Sequence, residues 1–133
     1  MILAVVISNP GLEELLSPLG FALGAALGGI DVYIYFQGPA IKVLKSDFKE
    51  KLRGINWLFS GFARDGLSAI GHIPPQEKLK QLKELGTHFY ACSPSMDHFG
   101  VNKNDLIFDN VIMAEYLTFM EIMNNADIHM LLQ

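Results

Sequence analysis

The chain has 133 residues, 50% of them hydrophobic, so it is long enough to bury a core without disulfides or a structural metal. Its formal net charge of −4 argues against a duplex-binding protein, because phosphate neutralisation requires clustered Lys and Arg, and no nucleic-acid partner is expected. A single cysteine cannot form an internal disulfide, and this favours a cytoplasmic protein over one from an oxidising compartment.

The first predicted element is a strand over residues 2–7, an aliphatic run of the kind that is buried on both faces of a parallel sheet. No basic residue precedes this run, so it is interpreted as a strand and not as a signal peptide. A helix follows to about Gly28, with Ser8 or Asn9 as its N-cap and Pro10 near its first turn.

Three glycines, Gly20, Gly24 and Gly28, lie at intervals of four along this helix. Glycine inside a helix lowers its stability, so we expect the stripe to be buried in close contact with the sheet. In a bilayer the same stripe would be a dimer motif, but Pro18 and Asp31 interrupt an apolar segment that needs about 20 residues to span. A transmembrane segment is therefore not expected.

Residues 31–36 are aromatic and β-branched, which predicts a second strand that ends at Gln37 and Gly38. The order strand, helix, strand predicts a right-handed crossover and parallel pairing. An amphipathic helix is predicted from Pro39 to about Arg53, where acidic residues between the basic ones are typical of a solvated helix face.

The segment 54–74 holds four glycines together with Trp57 and other large apolar residues. So long a connection predicts a lid or a subunit contact, with an irregular packed connection as the alternative. A helix over 76–85, with Leu85 among its inward residues, is expected to end at Gly86.

Strands over 87–91, near 112 and over 127–132, with a helix over 115–125, complete the pattern. Alternating helices and strands predict one α/β domain over 1–133: a three-layer α/β/α arrangement around a mostly parallel sheet of about five strands. Nine Phe and six Met exceed what a small soluble monomer needs, so we expect a homo-oligomer.

Ligands of open parallel sheets bind at the carboxyl ends of the strands. The candidate residues at these ends are Asn9, Gln37 and Gly38, and the segment that follows strand 87–91. Only that segment holds a nucleophile, Cys92.

Ser93 as N-cap and Pro94 at the first helical position predict a helix that begins just after Cys92. Free N–H groups of its first turn would favour the thiolate, so a lowered pKa is predicted for Cys92. His98 either assists this group or faces solvent. The alternative for Cys92 itself is an inert core residue.

Other chemistry has little support in the sequence. No glycine-rich phosphate fingerprint follows the first strand. The four histidines are scattered and only one sulfur ligand exists, so neither a metal nor a cofactor is expected.

The run from Ala91 to Val101 resembles the DsrE/DsrF-like family of sulfur-relay proteins, in particular its small stand-alone members. The carrying residues are Cys92, the run Ser95, Met96 and Asp97, and the Gly-hydrophobic pair that follows His98. The resemblance implies a DsrE-like domain with Rossmann- or flavodoxin-like architecture that forms trimers or hexamers. It also implies a persulfide on Cys92. Ser93 and Pro94 depart from the bulkier residues usual after the cysteine, and Glu115 stands where small residues are usual, which leaves the sulfur donor and partner open.

The first hypothesis is a cytoplasmic sulfur carrier, or sulfurtransferase-like protein, that exchanges sulfane sulfur with donor and acceptor proteins. In it, the N–H groups of Ser95 and Met96 stabilise the Cys92 anion and segment 54–74 shields it. The alternative is a non-enzymatic oligomeric module that binds a small molecule or a protein, with Cys92 structural. A third is peripheral membrane association through the glycine-striped helix.

Overall fold

Five strands form one sheet in the structure, a computed structural model that describes residues 1–49 and 74–132. The strands are β1 (Ile2–Ile7), β2 (Asp31–Phe36), β3 (His88–Cys92), β4 (Ile112–Ala114) and β5 (Ile128–Leu132). They lie in the order β4-β3-β2-β1-β5, and every neighbouring pair is parallel. The predicted α/β fold with a parallel five-stranded sheet is confirmed.

Four α-helices and two 3-10 helices lie within the described residues. The α-helices are α1 (Leu12–Leu27), α2 (Pro75–Glu84), α3 (Ser93–Phe99) and α4 (Tyr116–Asn125), and the 3-10 helices are Gly38–Leu44 and Lys103–Asp105. Across residues 1–49 and 74–132, none of these helices combines the length and apolarity needed to cross a bilayer. The predicted segment 54–74 lies outside the described residues, apart from Pro74.

The sheet separates two layers of helices. The helices α1, α2 and α3 all pack on one face of the sheet, where they contribute to the larger core. This is the arrangement that right-handed crossovers produce when successive strands are added in one direction, here β1, β2, β3 and β4. The connection from β4 back to β5 crosses the opposite face and contains α4. Alternate residues of β1 enter the two cores: Leu3, Val5 and Ile7 the larger one, Ala4 and Val6 the smaller.

The smaller core lies between the sheet and α4, the one helix packed on this face within the described residues. Its buried members are Ala4, Val6, Tyr35, Cys92 and Phe119. Phe119 is the one buried residue of α4, and its ring stacks on that of Tyr35 with centroids 4.8 Å apart. The placement of α4 therefore depends on this aromatic contact.

The expectation that the glycine stripe of α1 is buried against the sheet is wrong. Gly20, Gly24 and Gly28 are exposed, and a Cβ added at Gly20 or Gly24 would meet no atom within 4 Å. The helix turns Leu15 and Leu19 to the core instead. The reason is area, since burying leucine side chains removes far more apolar surface from water than burying glycine does.

Helix ends differ from the predicted ones by a few residues. Gly11, not Ser8 or Asn9, is the N-cap of α1, so Pro10 lies outside the helix. Asn9 has a turn role instead: its Oδ1 accepts a hydrogen bond of 2.9 Å from the Gly11 N–H. Cys92, not Ser93, is the N-cap of α3.

Two further expectations on helices are corrected. The region predicted as an amphipathic helix from 39 to 53 contains the 3-10 helix Gly38–Leu44 in its described part. Leu85, expected to face inward, is 44% exposed, because it caps α2 at the point where the chain turns away from the core.

Gly86 ends α2 as predicted, in the left-handed conformation with φ of 88°. The Gly86 N–H donates to the Lys83 carbonyl and the Thr87 N–H donates to the Leu82 carbonyl, the two hydrogen bonds of a Schellman motif.

Gly86→Ala should lower the free energy of unfolding by about 1–2 kcal/mol, because a Cβ is strained at this φ. Chemical denaturation measures the loss. Gly86→Asn is the matched control and should lose less, since asparagine tolerates the left-handed region better than alanine. Equal stability of the alanine variant and the wild type would contradict this account of the turn.

Candidate functional site

Cys92 is the last residue of β3, an inner strand of the sheet, and its side chain belongs to the smaller core. Residues Phe89 and Ala91 of the same strand enter the larger core, so alternation turns Cys92 toward α4. The residue is fully buried, with 0% exposure. It is a free thiol.

Four donors stabilise the thiolate form of Cys92 and so act on its pKa: the hydroxyl and the N–H of Ser95 and the hydroxyls of Tyr35 and Tyr116. Burial by itself raises the pKa of the Cys92 thiol. The Ser95 and tyrosine hydrogen bonds act in the opposite direction because they stabilise the anion, and the net pKa lies below the ordinary value. The lowered pKa predicted from the sequence thus has its physical cause in three side chains and one amide.

Ser95 is positioned by the loop that follows β2. The Gly38 N–H donates a hydrogen bond of 2.8 Å to the Ser95 Oγ. Because this bond uses the oxygen as an acceptor, the hydroxyl hydrogen remains available for the sulfur of Cys92. Gly38 has φ of 55°, a conformation that side chains other than glycine rarely adopt, so this residue type suits the position.

Tyr35 reaches the site from β2, the strand next to β3. Its hydroxyl donates a 3.0 Å hydrogen bond to the carbonyl oxygen of Ala114, at the end of β4. Burial, and next the hydrogen bond and charge of Cys92, raise the pKa of Tyr35 far above its ordinary value. A phenol has one hydrogen, so Tyr35 donates either to Ala114 or to the Cys92 thiolate, and ionisation of Cys92 favours the second arrangement.

Tyr116 is the outermost partner of Cys92. It is the first residue of α4 and is 53% exposed, and its ring lies edge-on to that of Tyr35 at 6.4 Å. The hydrogen bond to Cys92 is the largest cause that raises the pKa of the Tyr116 hydroxyl. Tyr116 is therefore a solvent-exposed partner of a fully buried thiol.

The other residues predicted around Cys92 lie in different surroundings. Ser93 is half-buried in the first turn of α3, and Met96 is buried in the larger core. Asp97 and His98 are exposed, and the His98 ring packs edge-on against Phe99 at 4.8 Å. The predicted N–H donor of Ser95 contacts the sulfur, whereas the hydrogen bonds to Cys92 do not include one from Met96.

Of the loop residues predicted at the strand ends, Gly38 contacts the Cys92 site through Ser95, whereas Gln37 and Asn9 make other contacts. Gln37 donates from Nε2 to the Ser8 Oγ at 2.8 Å, which joins the loops that follow β2 and β1. Gly38 orients Ser95, while Asn9 serves the turn before α1. Within residues 1–49 and 74–132, no group of three or more His, Cys, Asp or Glu side chains is arranged to hold a metal ion.

Tyr35 and Tyr116 are not among the site residues predicted from the sequence. The strand pattern contains a signal for Tyr35. Phe36 pairs with Ala91 in neighbouring strands, so these two residues share one face of the sheet. Because side chains alternate along a strand, Tyr35 and Cys92 share the opposite face. No comparable signal exists for Tyr116, because its position depends on the short strand β4 and on the crossover that follows it.

The fold and this site define a class: an α/β protein whose all-parallel sheet presents, at a strand end, a buried cysteine with hydrogen bonds that favour its thiolate. The chain belongs to the DsrE/DsrF-like family, whose sequence profile matches residues 1–131. The resemblance stated from the sequence is confirmed, and it relates the protein broadly to sulfur relay.

Two solved structures share the fold at low sequence identity. The ychN protein from E. coli is 16% identical, with a TM-score of 0.72 over 98% of each chain. The conserved protein of unknown function BT1422 from Bacteroides thetaiotaomicron is 12% identical, with a TM-score of 0.64 over 98% of this chain and 93% of that one. No curated protein sequence matches the chain significantly.

Proposed function

We propose that the protein is a sulfur carrier that holds sulfane sulfur as a persulfide on Cys92. The observation that carries the proposal is the set of donors around the buried sulfur, from Ser95, Tyr35 and Tyr116, which stabilise the thiolate and lower the pKa of the thiol despite full burial. The thiolate is the nucleophilic form of cysteine, so a site that favours it is prepared for sulfur exchange.

The exchange is redox-neutral. The Cys92 thiolate attacks the outer sulfur of a persulfide donor, the S–S bond of the donor breaks, and its electron pair leaves on the donor thiolate. The new S–S bond on Cys92 is cleaved in the same way by an acceptor thiolate. No second cysteine is needed in the chain, which has one.

Incubation with a sulfane-sulfur donor should add the mass of one sulfur atom to the intact protein, as measured by mass spectrometry. The gain should disappear with reductant and be absent in Cys92→Ala. Because Cys92 is the single cysteine, the intact mass alone assigns the site. If the wild type stays unmodified, and its thiol reacts with an alkylating reagent only after denaturation, the carrier function is wrong.

The second candidate is a non-enzymatic oligomeric module in which Cys92 has a structural role. The observation in its favour is the full burial of the residue. Under this alternative Cys92→Ala lowers stability but leaves ligand or partner binding intact, whereas under the first it removes all sulfur uptake.

The proposal includes a cytoplasmic location, exchange with donor and acceptor proteins, and a homo-oligomer, a trimer or hexamer. Exposed apolar residues support the oligomer: Phe21 and Leu27 on α1 and Ile128 on the edge strand β5 are 62%, 69% and 46% exposed. Together they leave more apolar surface at one edge of the sheet than a monomer needs. Sedimentation velocity measures the assembly size.

A further inference from the structure

A cavity of about 320 Å³ adjoins the Cys92 site on the solvent side of the smaller core. Two of the residues that hydrogen-bond to the sulfur, Tyr35 and Tyr116, also line this cavity. The cavity is therefore next to the one exposed partner of the buried sulfur.

The lining is apolar and uncharged. Met120, Met123 and Leu131 contribute hydrocarbon and thioether surface, and the polar groups of the lining are the two phenol hydroxyls and the Gln37 amide. The charged side chain whose field reaches Tyr35 is a carboxylate, that of Glu115. The residues that line the cavity in the described ranges 1–49 and 74–132 thus offer no cation to an anionic ligand, and an anion bound against them would lose hydration without gaining a counter-ion.

The volume lies at the lower end of the range for small-molecule pockets, about 300–1,000 Å³. Methionine side chains adapt to irregular apolar groups and make favourable contacts with aromatic rings. The cavity suits a single alkyl or aryl group.

We propose that this cavity binds the organic group of a small apolar persulfide, RSSH with R an alkyl or aryl group, which loads Cys92 directly. This inference rests on the proposed carrier function and adds the class of small-molecule donor. Tyr116 is a positioning residue here, because it lines the cavity and its hydroxyl also stabilises the Cys92 thiolate.

The step balances without an oxidant or reductant. The Cys92 thiolate attacks the terminal sulfur of RSSH, and the bond between the two donor sulfurs breaks as the Cys92 S–S bond forms. The electron pair of the broken bond leaves on RS⁻. The proton stays on the transferred sulfur, which is now bonded to Cys92, or passes to RS⁻ and gives RSH. The group R remains in the cavity until RSH dissociates.

The test compares initial rates of sulfur uptake, by intact-protein mass spectrometry, for benzyl persulfide and for glutathione persulfide, which carries charged groups. We expect at least about a tenfold preference for benzyl persulfide, equivalent to about 1.4 kcal/mol. Met120→Lys, which places a cation in the lining, should reduce that preference. Leu117→Lys is the matched control: it lies on the same helix, is 68% exposed and does not line the cavity, so the preference should persist.

Binding without chemistry is measured on Cys92→Ala by NMR of methionine methyl groups with benzyl mercaptan. Signals of Met120 and Met123 should shift, while those of Met96 and Met113, which pack in the larger core, should not. Sulfur uptake from both donors at equal rates, or no shift at Met120 and Met123, would overturn the inference and leave the carrier function intact. Uptake from neither donor would overturn the carrier function and this inference with it.

Discussion

Phe119→Ala should lower the free energy of unfolding by about 3–5 kcal/mol, the usual loss for truncating a large buried aromatic residue. Phe119 is 1% exposed and packs against the rings of Tyr35 and Tyr90, with centroids 4.8 and 5.5 Å apart. It is also the single fully buried residue of α4, whose Ile122 and Met123 are only partly buried against the same core.

The matched control for this substitution is Leu117→Ala on the same helix. Leu117 is 68% exposed, so its truncation should change the free energy of unfolding by no more than about 0.5 kcal/mol. Chemical denaturation at neutral pH compares the two variants. Similar losses for both would contradict the conclusion that the Phe119 contact holds α4 to the sheet.

A consequence for the site follows from the same contact. Tyr116 lies three residues before Phe119 and depends on the position of α4 for its hydrogen bond to Cys92. A helix that is less firmly packed should lose that hydrogen bond more often. Stability and thiol chemistry are therefore coupled through Phe119.

The first two strands were predictable because a strand that is buried on both faces of the sheet consists of a continuous run of apolar residues. The runs 2–7 and 31–36 coincide with β1 and β2, and the third strand lies one residue later than the predicted 87–91, so that it ends at the cysteine. The Schellman turn at Gly86 was also predictable, because a glycine after an amphipathic helix has few other roles.

Long-range geometry was not predictable in the same way. The sequence indicated an anion stabilised by the helix after Cys92, but most of the hydrogen bonds come from side chains, two of them on elements far away in the chain. Tyr35 is 57 residues before Cys92, and its role requires knowing that β2 and β3 are neighbours. The spacing of the glycines likewise did not predict which side of α1 faces the sheet, because the burial of its larger apolar side chains determines the orientation of the helix.

Tyr35→Phe should raise the pKa of the Cys92 thiol and lower the free energy of unfolding by about 1–3 kcal/mol. It removes a hydroxyl that stabilises the thiolate and leaves the buried carbonyl of Ala114 without this donor. The thiolate absorbance of the single cysteine measures the pKa, because the pKa of each tyrosine that remains in the variant, Tyr33, Tyr90 and Tyr116, is raised above its ordinary value. Tyr33→Phe is the matched control, since Tyr33 lies on the same strand and face without a hydrogen bond to Cys92.

The same variant should change how stability depends on pH. The folded pKa of Cys92 is lower than that of the unfolded chain, about 8.5, so between the two values only the unfolded chain holds the proton. The free energy of unfolding therefore rises with pH in this window, by at most about 1.4 kcal/mol per pH unit, and the contribution is lost as pH falls through the folded pKa. Tyr35→Phe should raise the lower limit of this pH window, because that limit is the pKa of Cys92 in the folded protein. Tyr33→Phe should leave both limits unchanged. A window of the same width in Tyr35→Phe and the wild type would mean that the Tyr35 hydroxyl does not stabilise the anion.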